Sequence, residues 1–307
     1  MSVALLFPGQ GAQRPGMLGR IPDTSTARDT ITEALQICRE LDPSVDLDNP
    51  GSDTVATQLS LVTVGVGCSR ALTLDAQLPV AFVAGHSVGA FSAAVTAGVL
   101  TLRDALATVF VRATSMRAAC TGDHWGMAAI SGLTVTVARS LVSELSTTAQ
   151  PLWVANVNNV TQIVVAGTVA ALDAAEAAAR RLGARNFERL DVEIASHGPV
   201  QEPTVTALRT QFASIPIHPP TRSYITNVGG RSVRSAQGIV DDLIQSVART
   251  VQWYDGIRLM HELGVHYAIE VGPGHTLSRL VGAAVPEMPT ASLEDQSLSV
   301  VIAQARR

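Results

Sequence analysis

The sequence predicts an α/β protein in which a large domain with a mainly parallel sheet carries a small inserted ferredoxin-like (α+β) domain. Two observations lead there, and a third sets the scale. Short apolar runs closed by Pro or Gly alternate with segments of helical period as far as Met116, the pattern of buried strands and the helices that cover them. From Gly126 the order becomes strand, helix, strand, strand, helix, strand within about 70 residues, the split βαβ arrangement. The chain has 307 residues, 47% of them hydrophobic and 4% aromatic, enough for a large core packed mainly with Ala, Val, Leu and Ile. The boundaries implied are 1–124 with 196–307 for the large domain and 125–195 for the small one.

The elements follow in order. Val3–Phe7 is a buried strand ended by Pro8 and Gly9. Thr24–Leu41 is a helix with Ile31, Leu35 and Cys38 on one face and Pro43 beyond its end. Val55–Leu72 is a second helix, weakened by Gly65 and Gly67. Val80–Ala84 is a strand that runs straight into Gly85-His86-Ser87-Val88-Gly89. Thr101 opens a helix with Asp104 as its capping acid and Leu102, Ala105, Leu106, Val109, Ala113 and Met116 as its stripe. Arg112 lies at the edge of that stripe, where it either reaches into a cleft or snorkels along the surface. In the small domain, a strand from Gly126 is followed by a helix over Val135–Leu145. Strands LWVANV and QIVVAG, a helix over Val169–Leu182 and the strand-like Asn186–Val192 complete it. The alternation resumes after His197 and includes a strand at Tyr267–Gly272.

Composition removes several functions. Acidic residues outnumber basic ones, 26 to 22, a formal charge of −4 that argues against nucleic acid as a partner. Every basic residue is arginine, so no lysine is available for a Schiff base, a pyridoxal phosphate anchor or a Walker-type phosphate loop. Cys38, Cys68 and Cys120 lie far apart without zinc-ligand spacing, which predicts buried thiols, no disulfide framework and no metal. No charged-then-apolar leader and no apolar run of ~18 residues is read in the chain, which predicts a cytoplasmic location and no membrane partner.

The chemistry starts at Ser87. Gly-x-Ser-x-Gly between a strand and a helix is the pattern of a nucleophile elbow in a hydrolase-like domain. The helix that follows offers N–H groups and a positive dipole end to an oxyanion. A serine needs a base. His86 is adjacent, but on an elbow its side chain points away; His124, His197, His218, His261, His266 and His275 remain, and spacing does not choose among them.

Phe7-Pro8-Gly9-Gln10-Gly11 resembles the opening motif of the malonyl-CoA:acyl carrier protein transacylases. GHSVG at Ser87, Arg112 with Met116, Asn156 onward, ASHG at His197, VQW at Gln252 and EVGPG at Glu270 follow in register over nearly the whole chain. The resemblance implies Ser87 as the nucleophile and His197 as its base, oriented by a backbone carbonyl around Gln252. It also implies an oxyanion hole from the Gln10 and Val88 backbone N–H groups, with Arg112 holding the malonyl carboxylate. The substrate would be a coenzyme A thioester, with no bound cofactor and an acyl carrier protein as partner.

Two departures point further. Ala90 stands where most fatty-acid transacylases carry glutamate, and the opening motif continues as AQRPGML (Ala12–Leu18). Both resemble the malonate decarboxylase epsilon subunit, which would make that decarboxylase's carrier subunit the partner. The fatty-acid synthesis transacylase is the alternative. Ser196 before His197 leaves room for a branched extender, although malonyl is favoured. A serine thioesterase and a non-catalytic carrier-docking subunit are the rival readings. The Arg180, Arg181, Arg185 and Arg189 cluster is a docking face or a solvated helix face.

Overall fold

Val3, Leu5 and Phe7 enter one apolar layer while Ala4 and Leu6 enter another, so the first strand is buried on both faces. This strand, β1 (Ser2–Phe7), lies inside the larger of two sheets in a computed structural model describing residues 2–51, 53–121, 125–192 and 194–307. After it come α1 (Ser25–Leu41), α2 (Thr54–Arg70), β2 (Val80–Gly85), α3 (Gly89–Thr96) and α4 (Leu102–Ala119). The smaller unit contains β3 (Trp125–Ser131), α5 (Val135–Leu145), β4 (Leu152–Asn159), β5 (Gln162–Thr168), α6 (Val169–Arg181) and β6 (Asn186–Arg189). Next are α7 (Glu202–Phe212), β7 (Ser223–Ile225), β8 (Ser232–Val233), α8 (Ala236–Gln245) and α9 (Trp253–Glu262). The chain ends with β9 (Val265–Glu270), α10 (Thr276–Ala284), β10 (Thr290–Ser292) and α11 (Leu298–Ala305).

The larger sheet has the order β10-β9-β1-β2-β7-β8, parallel except for the β7–β8 pair. Phe7 pairs with Gly85, which sets the loops leaving β1 and β2 side by side at the carboxyl edge, where open α/β sheets bind ligands. The smaller sheet is antiparallel with the order β4-β5-β3-β6, the ferredoxin-like arrangement expected. Its last strand is shorter than the Asn186–Val192 run expected, because pairing with β3 ends at Ala128–Arg189.

Three helices differ from or sharpen the sequence reading. Helix α1 buries Ala27, Thr30, Ala34, Ile37 and Cys38, a stripe rotated from the one expected, and leaves Ile31 and Leu35 at its flank. Helix α2 is not broken at its glycines: a Cβ on Gly65 would sit 2.7 Å from Ser92 Oγ and 3.2 Å from Phe7 Cδ1, so the residue lets α3 and β1 approach closely. With its last turn, Thr54–Asp75 is a helix long and apolar enough to cross a membrane, contrary to the reading of no such run. Its apolar window is 94% buried within the fold, as expected of a central core helix. Helix α4 starts as expected, with Thr101 Oγ1 accepting from Asp104 N–H, and buries the whole stripe together with Arg112.

Candidate active site

The elbow exists because two glycines permit it. A Cβ on Gly85 would lie 2.1 Å from the Gly89 carbonyl carbon, and one on Gly89 would lie 2.2 Å from the Phe7 carbonyl oxygen. The turn between them holds Ser87 at φ +54°, a left-handed conformation that costs a non-glycine residue on the order of 1 kcal/mol or more. The loop after β1 presses on it from the other side. His86 N–H donates to the Phe7 carbonyl at 2.9 Å, and a Cβ on Gly9 would lie 2.6 Å from the His86 carbonyl oxygen. The glycine of FPGQG is therefore a close-approach residue for the elbow.

His197 Nε2 stands 2.9 Å from Ser87 Oγ, and His197 Nδ1 is 2.5 Å from the Ser246 carbonyl oxygen. The latter contact puts the ring proton on Nδ1 and leaves Nε2 free to accept from the serine. Burial, followed by the nearby Arg112 charge, pushes the His197 imidazole down to about 3, so it is neutral at physiological pH. Arg112 is 1% exposed; its Nη2 donates to Ser87 Oγ at 3.2 Å and its Nη1 to Gln58 Oε1 at 2.5 Å. Its Nε has no partner, and among the described residues no carboxylate lies within 4.0 Å of it. Burial lowers the guanidinium only to about 10, so a charged group is held in the interior without a counter-ion.

The remaining residues fall into place around this triangle. Gln252 does not orient His197: its carbonyl accepts from Gly256 N–H at the start of α9, and the carbonyl that holds the histidine comes from Ser246, in the short turn after α8. The Gln10 and Val88 backbone N–H groups make no hydrogen bond to another described residue, and Val88 is the N-cap of α3. Ser87, His197, Gln10, Asn156, Met116 and Ser196 line a cavity of about 70 Å³. A larger space of about 400 Å³ beside it shares Gln10, Val192 and Ile194. His86 turns away from the serine, onto Asn158 Oδ1 at 3.1 Å and edge-on to the Trp253 ring. His218 is exposed, His261 faces Glu287 and His275 faces Asp295, while His124 lies outside the described residues. Gln58 carries the guanidinium but shows no motif in the sequence, only a polar side chain on an apolar helix. Glu270 of EVGPG accepts from Leu277 and Ser278 N–H and so caps α10 without entering the site.

A family model described as acyl transferase domain matches residues 4–302. The chain belongs to that family. It is an acyltransferase. It is 31% identical over 311 residues to the malonyl CoA-acyl carrier protein transacylase of Salmonella typhimurium, covering 98% of this chain and 99% of that one. The acyl-carrier-protein S-malonyltransferase of Burkholderia pseudomallei superposes with a TM-score of 0.90 at 30% identity, covering 100% of both chains. A malonyl-transacylase in complex with a type II polyketide acyl-carrier protein matches with a TM-score of 0.88 at 26% identity, covering 99% of each chain. These relatives overturn the malonate decarboxylase epsilon subunit reading. The structure shows why its main clue misled. Ala90 is fully buried in the core beneath the elbow, so the residue there reports local packing and not the identity of a carrier. Among the described residues no group of three or more His, Cys, Asp or Glu is placed to hold a metal ion.

Proposed function

We propose that the chain moves a malonyl group from malonyl-CoA to the phosphopantetheine-type thiol of an acyl carrier protein through a malonyl ester on Ser87. One observation carries this reading: Arg112, a buried guanidinium with no carboxylate partner among the described residues, lies 3.2 Å from the nucleophilic oxygen. A malonyl thioester brings the missing carboxylate to that place, and an acetyl thioester does not. The relatives named above act on malonyl thioesters by their names, which supports the same substrate here.

In this mechanism Ser87 Oγ gives its proton to His197 Nε2 and attacks the thioester carbonyl carbon. The Gln10 and Val88 N–H groups take the charge of the tetrahedral oxygen. The C–S bond breaks, the coenzyme A thiolate takes the proton from His197, and the carrier thiol reverses the sequence. His197 is a weak base first because it is buried and then because the Arg112 charge stands beside it. Pairing the guanidinium with the malonyl carboxylate removes part of that repulsion and strengthens the base when the right acyl group is bound.

Mass spectrometry of the protein after malonyl-CoA should show one added malonyl group on the wild type and none on Ser87→Ala. Arg112→Ala should narrow the preference for malonyl over acetyl by about 10-fold or more, since the site no longer discriminates by charge. Rapid hydrolysis of malonyl-CoA without an acceptor thiol would point instead to a thioesterase.

A further inference from the structure

We infer that Asn227 and Asp242 are positioning residues that set the Ser87–His197 geometry from beneath the elbow, given the reading of Ser87 as the acyl-carrying nucleophile. The Asn227 carboxamide straddles the turn. Its Oδ1 accepts from Ser87 N–H at 2.9 Å, and its Nδ2 donates to the Gly85 carbonyl at 2.9 Å. Those groups flank His86, so one buried side chain fixes both ends of the segment that holds Ser87 at φ +54°. Asn227 lies just past β7, which pairs with β2 up to Ala84–Ile225, and so meets the elbow through the sheet's own register.

Asp242, on α8, fixes Asn227 in turn. Its Oδ2 accepts from Asn227 N–H at 3.0 Å and from Tyr224 O–H at 2.7 Å, and its Oδ1 accepts from Val228 N–H at 2.8 Å. The carboxyl is buried, and among the described residues no Arg or His lies within 4.0 Å of it. Burial pushes it up, against the pull of those donors. An acid in the interior without a cation is a costly way to hold a loop unless the loop's placement matters. The same residue also reaches the histidine. The Asp242 carbonyl accepts from Ser246 N–H, and the Ser246 carbonyl holds His197 Nδ1. One turn of α8 thus ties the serine, through Asn227, to the carbonyl that orients its base.

The test compares the full-length wild type with Ser87→Ala, Asn227→Ala and Tyr224→Phe. It measures malonyl-CoA acylation kinetics, inactivation by phenylmethylsulfonyl fluoride and thermal melting. A labelled wild type and an unlabelled Ser87→Ala establish the nucleophile; a labelled Ser87→Ala removes that reading and this inference with it. With the nucleophile established, Asn227→Ala should lower kcat for acylation and the sulfonylation rate together by about 10- to 100-fold, with KM within about twofold, the signature of misplaced reacting groups. Where Asn227→Ala does not fold, Tyr224→Phe, which takes one donor from Asp242, should lower kcat by about threefold or more at unchanged KM. A folded variant with unchanged kcat, or with raised KM at unchanged kcat, overturns the positioning role.

Discussion

At the scale of single residues, the site is governed by what burial does to two cations. Arg112 stays charged in the interior and His197 does not, because a guanidinium has far more basicity to lose than an imidazole. The neutral imidazole is the form that can accept the Ser87 proton, so lowering pH harms the free enzyme only near the depressed value. The pH profile of kcat/KM for the first half-reaction should therefore show no histidine limb near 6.5, with its acid limb well below that, towards about 3. A limb centred at 6.5 would mean that His197 is more open to water than its burial indicates. The serine itself depends on neighbours of minimal size: neither Gly85 nor Gly89 has room for a Cβ.

At the scale of elements, helix α2 shows how one residue type does opposite things within one turn. Gly65 faces Ser92 and Phe7 at distances too short for a methyl group, whereas a Cβ on Gly67 would meet nothing nearer than 3.6 Å. Alanine is the better helix former by roughly 1 kcal/mol when space allows. Gly67→Ala should accordingly raise the melting temperature, while Gly65→Ala should lower it by forcing α3 and β1 away from the helix. Calorimetry on the two variants checks this, and shifts of the same sign would refute the close-packing account. Because α3 begins at the elbow and α2 carries Gln58, the same packing sets the distance between the serine and the guanidinium's support.

At the scale of the whole molecule, folding takes His86 and His197 out of water as neutral rings, with burial the largest cause in each. Folded values below the unfolded value of about 6.5 mean that the unfolded chain binds more protons as pH falls. The stability that His197 contributes in this way is complete above about 6.5 and is lost as pH falls towards about 3, by at most about 1.4 kcal/mol per pH unit, and the lowered His86 ring adds a loss in the same direction. Asp242 and Glu270, raised by burial, act in the opposite sense, so comparison with a variant isolates the histidines. The urea midpoint should fall between pH 6.5 and 4.5, and less steeply in His86→Gln; equal slopes would exclude His86 from the effect. What the sequence by itself determined was local: the alternating strands and helices, the glycine-flanked elbow, the absence of lysine chemistry, and an arginine on a helix with a family motif around it. These follow from periodicity and short-range sterics, which neighbouring residues encode directly. Tertiary structure decided the pairings: His197 among the other histidines, 110 residues from Ser87, the carbonyl of Ser246 in place of Gln252, and Gln58, Asn227 and Asp242, which carry no local signal. Such contacts depend on strand register and helix packing, and those are fixed only when the whole core forms.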